Sequence, residues 1–104
     1  MAVTHVAMFR FTDDATTAAI AALGEGLAAL PGEVPSLRSL VFGPDLGLLE
    51  GLSDASWDYA VVATFDDAEG YHAYRTHPAH LAVVEERLAP IAADRATIQL
   101  AGTP

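Results

Sequence analysis

The sequence contains no cysteine and only five basic side chains, all of them arginine. Without cysteine the chain can form neither a disulfide nor a thiolate metal site. Long apolar runs are missing as well, because Asp, Glu or Pro interrupts each run before the roughly 18 residues that a membrane span needs. The first residues lack the basic and apolar regions of a signal peptide. Together these absences predict a cytoplasmic protein.

Positive charge is scarce in this chain. Five Arg stand against fourteen Asp plus Glu, so the formal net charge is −9. A surface of that sign repels phosphate backbones and anionic lipids. We therefore expect neither nucleic acid nor membrane among the partners of this protein.

Hydrophobic residues, by contrast, are abundant and make up 52% of the 104 residues. A chain of this size can bury one core, and this composition is too apolar for a disordered protein. No internal repeat or linker divides the sequence. We predict a single domain over residues 1–104.

The order of apolar and turn-forming residues predicts four strands and two helical regions. The first helix begins at a Thr12-Asp13-Asp14 cap and ends before Pro31, and Pro78 divides the second helical region. The predicted elements are a strand over Val3–Phe11, a helix over residues 13–30, strands over 36–42 and 57–65, helical segments over 67–77 and 78–88, and a strand over 95–101. The order β-α-β-β-α-β is that of the ferredoxin-like arrangement, an α+β fold with an antiparallel four-stranded sheet.

The first and third strands are apolar on both faces. In the first strand, Val6 and Met8 alternate with Ala7 and Phe9, and the third strand repeats this pattern. Helices of this fold cover one face of the sheet only, so the other face needs a second cover. An identical subunit that packs sheet to sheet would provide it. The pattern therefore predicts a homodimer.

Two further features allow more than one explanation. Gly24 and Gly26 lie within the first helix, where each costs ~1 kcal/mol relative to Ala. They allow close packing against a strand, are simply tolerated, or leave room for a ligand beneath the helix. The loop after the second strand is unusually apolar and contains Leu46, Leu48, Leu49 and Leu52. We expect these side chains to be buried, either as a flap over a cavity or in a subunit contact.

Acid–base side chains are concentrated in residues 71–80, which hold three of the four histidines and two of the three tyrosines. His77 and His80 have the i, i+3 spacing of metal ligands, but only Glu85 and Asp94 are near enough in sequence to add a third ligand. Glycine-rich phosphate loops and a nucleophile elbow are absent. We predict no metal and no cofactor.

The most specific stretch of the chain is Tyr74-Arg75-Thr76-His77-Pro78-Ala79-His80. Together with FGPDLG at residues 42–47 and WDYAVVATF at residues 57–65, it resembles the stress-responsive dimeric α/β-barrel (Dabb) family over nearly the whole chain. The resemblance implies a ferredoxin-like protomer whose sheet joins that of its twin in a barrel, with the helices outside. Most members have no established activity. One branch is similar to polyketide cyclases of the olivetolic-acid type, cofactor-free enzymes that close a poly-β-ketone by aldol condensation.

In that branch a tyrosine and the second histidine of the same motif form the catalytic pair, so the resemblance assigns this role to Tyr74 and His80. His5 matches a further pocket histidine. Two pocket positions depart from the cyclases, since Tyr59 stands in place of a histidine and Leu27 in place of a helix tyrosine. A small apolar or polyketide-like ligand is the partner that the resemblance implies.

The residues themselves allow this chemistry. His80 is the third residue of the helix that Pro78 begins, where the helix dipole disfavours the imidazolium form. A neutral His80 can remove a C–H proton beside a carbonyl while Tyr74 donates a hydrogen bond to the enolate. The alternative is structural, with His77 and His80 bonded to free backbone N–H groups and with Tyr74 and His5 packed in the core.

Two classes of function follow from these observations. In the first, the protein is a stress-linked binding module or scaffold with an apolar pocket and no chemistry. In the second, it is a cofactor-free cyclase or lyase that acts on an activated carbonyl compound. An open pocket that holds both Tyr74 and His80 would favour the enzyme, and a sealed one would favour the scaffold.

Overall fold

The computed structural model describes residues 1–49 and 56–104. Its elements are β1 (Val3–Phe11), α1 (Thr17–Glu33), β2 (Ser39–Pro44), β3 (Tyr59–Phe65), α2 (Ala68–Thr76), α3 (Pro78–Val83), a π-helical turn (Val84–Leu88) and β4 (Ala92–Ala101). The strands form one sheet in the order β2-β3-β1-β4. All three neighbouring pairs are antiparallel. The predicted ferredoxin-like fold is thus confirmed.

The N-terminal end of α1 differs from its prediction. The helix begins after Thr16, whose hydroxyl accepts a hydrogen bond from the Ala19 N–H at 3.1 Å. Residues 12–15 form a turn instead, in which the Ala15 N–H donates to the Thr12 carbonyl at 3.0 Å. The predicted cap at residues 12–14 is therefore wrong, because a later threonine satisfies the free backbone donors.

The C-terminal end of α1 lies beyond the predicted stop at Pro31, since the helix continues to Glu33. Proline removes one backbone donor, yet the Val34 N–H still donates to the Leu30 carbonyl at 2.9 Å. The side chains of Leu30 and Val34 are fully buried. Packing of this last turn outweighs the lost hydrogen bond.

The remaining boundaries move by a few residues. β2 begins at Ser39 rather than at 36, β3 at Tyr59 rather than at 57, and β4 at Ala92 rather than at 95. Asp58 bonds to β1 partly through its side chain, whose carboxylate accepts from the Phe11 N–H at 2.8 Å. The predicted cap of α2 is confirmed, because the Asp67 carboxylate accepts from the Gly70 N–H at 2.8 Å.

The two faces of the sheet have different surroundings. One face packs under the helices, where alternate residues of β1 and β3 join side chains of α1 and α2 in the core. On the other face, strand register aligns an apolar row of Val41, Val62, Val6 and Ile98. Val41 is 69% exposed and Ile98 is 53% exposed. Within the described residues of one protomer, this second face is therefore largely uncovered.

Close packing explains Gly26 but not Gly24. A Cβ atom at Gly24 would lie 3.6 Å from the Tyr59 hydroxyl, while one at Gly26 would lie 2.7 Å from Cδ of Arg87. Arg87 crosses from the π-helical turn to α1 and donates to the Ala22 carbonyl at 2.6 Å. Gly26 thus makes room for a side chain of its own protein.

The leucine-rich loop is only partly described. Leu46, Leu48 and Leu49 are exposed, so their predicted burial does not occur within the protomer. Leu52 lies outside the described residues.

None of the helices in the described part of the chain combines the length and hydropathy that a membrane crossing requires. The cytoplasmic location and the single-domain organisation stay predictions.

Candidate active site

A cavity of about 460 Å³ lies between the helix-covered face of the sheet and the helices. One part of its wall is aliphatic and includes Leu23, Leu27, Val61 and Leu88. Another part is polar and aromatic and includes His5, Tyr71, Tyr74, His80 and Gln99. An apolar chamber with a few convergent polar groups is the usual form of a small-molecule site.

The break between α2 and α3 brings Tyr74 and His80 together. His77 belongs to both helix ends: its N–H donates to the Tyr74 carbonyl at 3.2 Å, and its Nδ1 accepts from the Ala79 N–H at 3.0 Å. Pro78 begins α3, where its missing N–H costs nothing. The chain turns at this point, and the rings of Tyr74 and His80 lie 4.2 Å apart between centroids.

The surroundings of His80 determine which of its nitrogens carries the proton. Nδ1 lies 3.1 Å from the Arg75 carbonyl oxygen, which can only accept a hydrogen bond. Nδ1 therefore carries the hydrogen, and in the neutral ring Nε2 holds a free lone pair. Burial lowers the pKa of His80, and charge interactions with Arg75 and His77 lower it further against the opposing effect of this hydrogen bond. The lowered pKa favours the neutral form that the sequence analysis expects, and burial rather than the helix dipole is its largest cause.

Tyr74 is suited to the complementary role. Its side chain is only 2% exposed. Burial, with a smaller contribution from Tyr71, raises the pKa of Tyr74 to about 12. The hydroxyl therefore keeps its proton at neutral pH and can donate a hydrogen bond.

His5 has the opposite tautomer to His80. The side-chain amide of Gln99 on β4 donates to Nδ1 of His5 at 2.9 Å, so the proton of the neutral ring is on Nε2. Burial lowers the pKa of His5, with a further contribution from His80. The His5 ring lies 5.0 Å from that of Tyr71 and 6.2 Å from that of Tyr74. The site thus combines one histidine that can accept a proton with another that can donate a hydrogen bond.

The structure places four of the five predicted site residues in the cavity wall, namely His5, Leu27, Tyr74 and His80. Tyr59 is the exception. It is buried beside the rings of Phe9 and Phe11, at centroid distances of 6.4 and 5.7 Å, and it does not line the cavity. Burial raises the pKa of Tyr59.

Sequence reasoning missed the contribution of β4. Arg95, Thr97 and Gln99 line the cavity and lie opposite Phe9, Ala7 and His5 in the strand register. The alternation of these three polar residues along β4 could have predicted their shared face, because polar residues at every second position of a strand lie on one side of the sheet. Arg75 on α2 also lines the cavity.

A metal centre has little support in this region. Within residues 1–49 and 56–104, no three His, Asp or Glu side chains come together closely enough to hold a metal ion. His77 and His80 serve different functions, since His77 caps α3 while His80 bonds to the Arg75 carbonyl.

Comparison with protein families identifies a match over nearly the whole chain. The model described as the stress-responsive A/B barrel domain, Dabb, matches residues 3–100. Comparison with curated proteins gives no match.

Several solved structures share the fold. A dimeric ferredoxin-like protein of unknown function from Thermobifida fusca is 37% identical, with a TM-score of 0.83 over 96% of this chain and 90% of that one. A dimeric ferredoxin-like protein of unknown function from Bacteroides fragilis is 25% identical, with a TM-score of 0.81 over 95% and 94% of the two chains. The hydroxynitrile lyase of Passiflora edulis is 18% identical, with a TM-score of 0.82 over 99% and 97%, and at this identity the likeness shows the fold alone.

Proposed function

We propose that this chain, which belongs to the stress-responsive α/β-barrel (Dabb) family, is a cofactor-independent enzyme of the lyase or cyclase type that acts on an activated carbonyl compound. The observation that carries this proposal is the contact between Tyr74 and His80, whose rings lie 4.2 Å apart in the wall of a 460 Å³ cavity. A base and a hydrogen-bond donor beside one chamber are what enolate chemistry requires.

The proposed step is removal of a proton from the carbon beside a carbonyl group. Nε2 of His80 takes the proton, and the electron pair of the broken C–H bond moves to form the enolate. The Tyr74 hydroxyl donates a hydrogen bond to the enolate oxygen, and Nε2–H of His5 supplies a second donor to the same region. The enolate carbon can then attack a second carbonyl in an aldol closure, which breaks the π bond of that carbonyl, and the resulting alkoxide takes the proton from the imidazolium of His80. Without a second carbonyl, the imidazolium returns the proton to the enolate carbon.

The fold of this chain is compatible with such chemistry. The Passiflora protein of the same fold is a hydroxynitrile lyase by name. Its low identity transfers no residue role to this chain, so the proposal depends on the geometry of the cavity itself.

A second candidate is a binding protein without chemistry. The aliphatic wall formed by Leu23, Leu27, Val61 and Leu88 favours it, because such a surface can hold an apolar ligand without any proton transfer. Both candidates predict ligand binding, and only the first predicts that His80 determines a reaction rate.

Deuterium exchange at the activated carbon of a 3-oxoacyl thioester, such as the N-acetylcysteamine ester of 3-oxooctanoate, separates the two candidates. We expect the protein to accelerate exchange over buffer and the His80→Gln substitution to reduce this acceleration about 100-fold, the range of a positioned general base. His72→Gln is the matched control, because His72 lies on α2 outside the cavity lining. Equal rates for wild type and His80→Gln, or no acceleration at all, would reject the enzyme.

We further propose that the protein is a homodimer in which the uncovered sheet faces pack together. The exposed apolar row from Val41 to Ile98 supports this arrangement, because burial of apolar surface stabilises association. The relatives from T. fusca and B. fragilis are described as dimeric.

A further inference from the structure

The charge around the cavity is opposite to that of the whole protein. The chain carries fourteen acidic side chains and five arginines. The described residues that line the cavity nevertheless include Arg75 and Arg95 and no Asp or Glu. An anion that is repelled by most of this surface would therefore meet positive charge at this cavity.

Within the described residues, the two cavity arginines are also the ones whose guanidinium groups form no ion pair or hydrogen bond. The other three guanidinium groups are engaged elsewhere: Arg38 pairs with the Asp66 carboxylate at 2.8 Å, Arg87 donates to the Ala22 carbonyl at 2.6 Å, and Arg10 donates to the Ser56 carbonyl at 2.6 Å. Among residues 1–49 and 56–104, neither Arg75 nor Arg95 forms an ion pair. Their charges are available to a ligand.

Their positions suit a ligand that also reaches the reactive pair. Arg75 directly follows Tyr74, and its carbonyl holds the His80 ring. Arg95 is on β4 and begins the polar row of Arg95, Thr97 and Gln99 that borders the cavity. Since a strand rises about 3.3 Å per residue, the Cα atoms of Arg95 and Gln99 lie about 13 Å apart. An anion held at the Arg95 end would therefore extend its carbon chain toward His5 and His80.

We propose that the cavity takes a substrate that carries a carboxylate in addition to its reactive carbonyl group. Arg95 binds the carboxylate, Arg75 adds positive charge beside Tyr74 and His80, and the aliphatic wall holds the hydrocarbon part. Guanidinium groups match the planar geometry of a carboxylate and can bind it through two hydrogen bonds. This inference rests on the proposed function, because it names the substrate class of the same site.

The test compares two probes of equal shape. Binding of 3-phenylpropanoate and of 3-phenylpropanamide is measured by NMR titration at low ionic strength. We expect the wild type to bind the carboxylate at least tenfold more tightly than the amide. The double substitution Arg75→Gln, Arg95→Gln should reduce this preference to less than twofold. Arg38→Gln removes the same charge outside the cavity lining and should leave the preference intact. Circular dichroism confirms that each variant is folded.

Three results would overturn the inference: equal binding of the two probes, a preference that survives the double substitution, or binding of neither probe at millimolar concentration. The outcome is separable from that of the exchange experiment. The thioester used there has no carboxylate, so its exchange does not depend on the anion site. If His80→Gln leaves the exchange rate unchanged while the carboxylate is still preferred over the amide, the enzyme is rejected and the anion site is kept. Exchange that depends on His80, together with equal binding of the two probes, would support the enzyme and reject the anion site.

Discussion

Tyr74 and His80 meet because of two neighbouring residues that perform no chemistry. Pro78 begins a new helix, and the His77 side chain accepts from the Ala79 N–H at 3.0 Å and so fixes the start of that helix. Without this bend, residues six positions apart on a straight helix would point in different directions. The bend itself is predictable from the sequence because the proline is a local signal, whereas the pairing of Tyr74 with His80 is what the family resemblance implies.

The partner of His5 is not predictable in the same way. Gln99 lies 94 positions away along the chain and contacts His5 only through the β1–β4 register. Local sequence patterns do not predict such a long-range contact, although the tautomer of His5 depends on it. The alternation of polar residues in β4 predicts the face of the sheet on which Gln99 lies, but it does not predict which residue Gln99 contacts.

At the residue scale we predict that stability falls as the pH is lowered. The pKa values of His5 and His80 are lowered from 6.5 in the folded protein. Below that value the unfolded chain binds protons that the folded protein resists, so the free energy of unfolding decreases as the pH falls from about 6.5 through the lowered folded-state pKa values. Urea denaturation at pH 7.5 and pH 5 measures this change.

The control for the pH prediction is the double variant His5→Gln, His80→Gln. Its free energy of unfolding should change less between pH 7.5 and pH 5 than that of the wild type. His72→Gln should retain the wild-type dependence. Stability that is equal at the two pH values, or unaltered pH dependence in the double variant, would show that the two cavity histidines are not the cause.

At the element scale, α1 shows how tertiary packing overrides local signals. Pro31 predicts the end of a helix, but the helix continues because Leu30 and Val34 bury its last turn. Gly24 and Gly26 have equal helix propensity, so the sequence predicts the same cost for both. Their different neighbours become visible only when α1 packs on β3 and on the π-helical turn.

Substitution of these two glycines by alanine should have opposite effects on stability. Gly24→Ala meets only ordinary contacts, the nearest at 3.6 Å, so we expect a gain of about 0.5–1 kcal/mol from helix propensity. Gly26→Ala places Cβ 2.7 Å from Cδ of Arg87 and 3.2 Å from Cγ2 of Val83. Displacement of Arg87 and overpacking should outweigh the propensity gain and leave a net loss of about 1 kcal/mol.

Thermal or urea unfolding of the two glycine variants against wild type measures the difference. Each variant is the control for the other, because the chemical change and the helix are the same. Equal effects for both would mean that Arg87 moves away from Gly26 without cost.

At the scale of the whole molecule, the sheet is the feature that the sequence predicts best. Apolar residues on both faces of β1 and β3 indicate that both faces of the sheet are buried, and the helices bury one of them. The other face carries Val41 and Ile98, which are 69% and 53% exposed. Neither a local pattern nor a single protomer defines how a second subunit would be oriented on that face.

We predict that charge on the uncovered face prevents dimer formation. Ile98→Lys should yield a particle with the mass of one chain, because a buried unpaired lysine opposes association. The wild type should have twice that mass by analytical ultracentrifugation. Ala28→Lys, on the exposed side of α1, is the matched control and should stay dimeric. A monomeric wild type, or a dimeric Ile98→Lys variant, would contradict the proposed packing.

A double-mutant cycle on deuterium exchange tests the cooperation of Tyr74 and His80 most directly. Two groups that act on one enolate lose their function together, so their effects on the rate should not add. We predict that the double variant Tyr74→Phe, His80→Gln catalyses exchange no more slowly than His80→Gln alone, and that Tyr59→Phe is as fast as wild type. Independent, fully additive effects, or a Tyr74→Phe variant as fast as wild type, would contradict it.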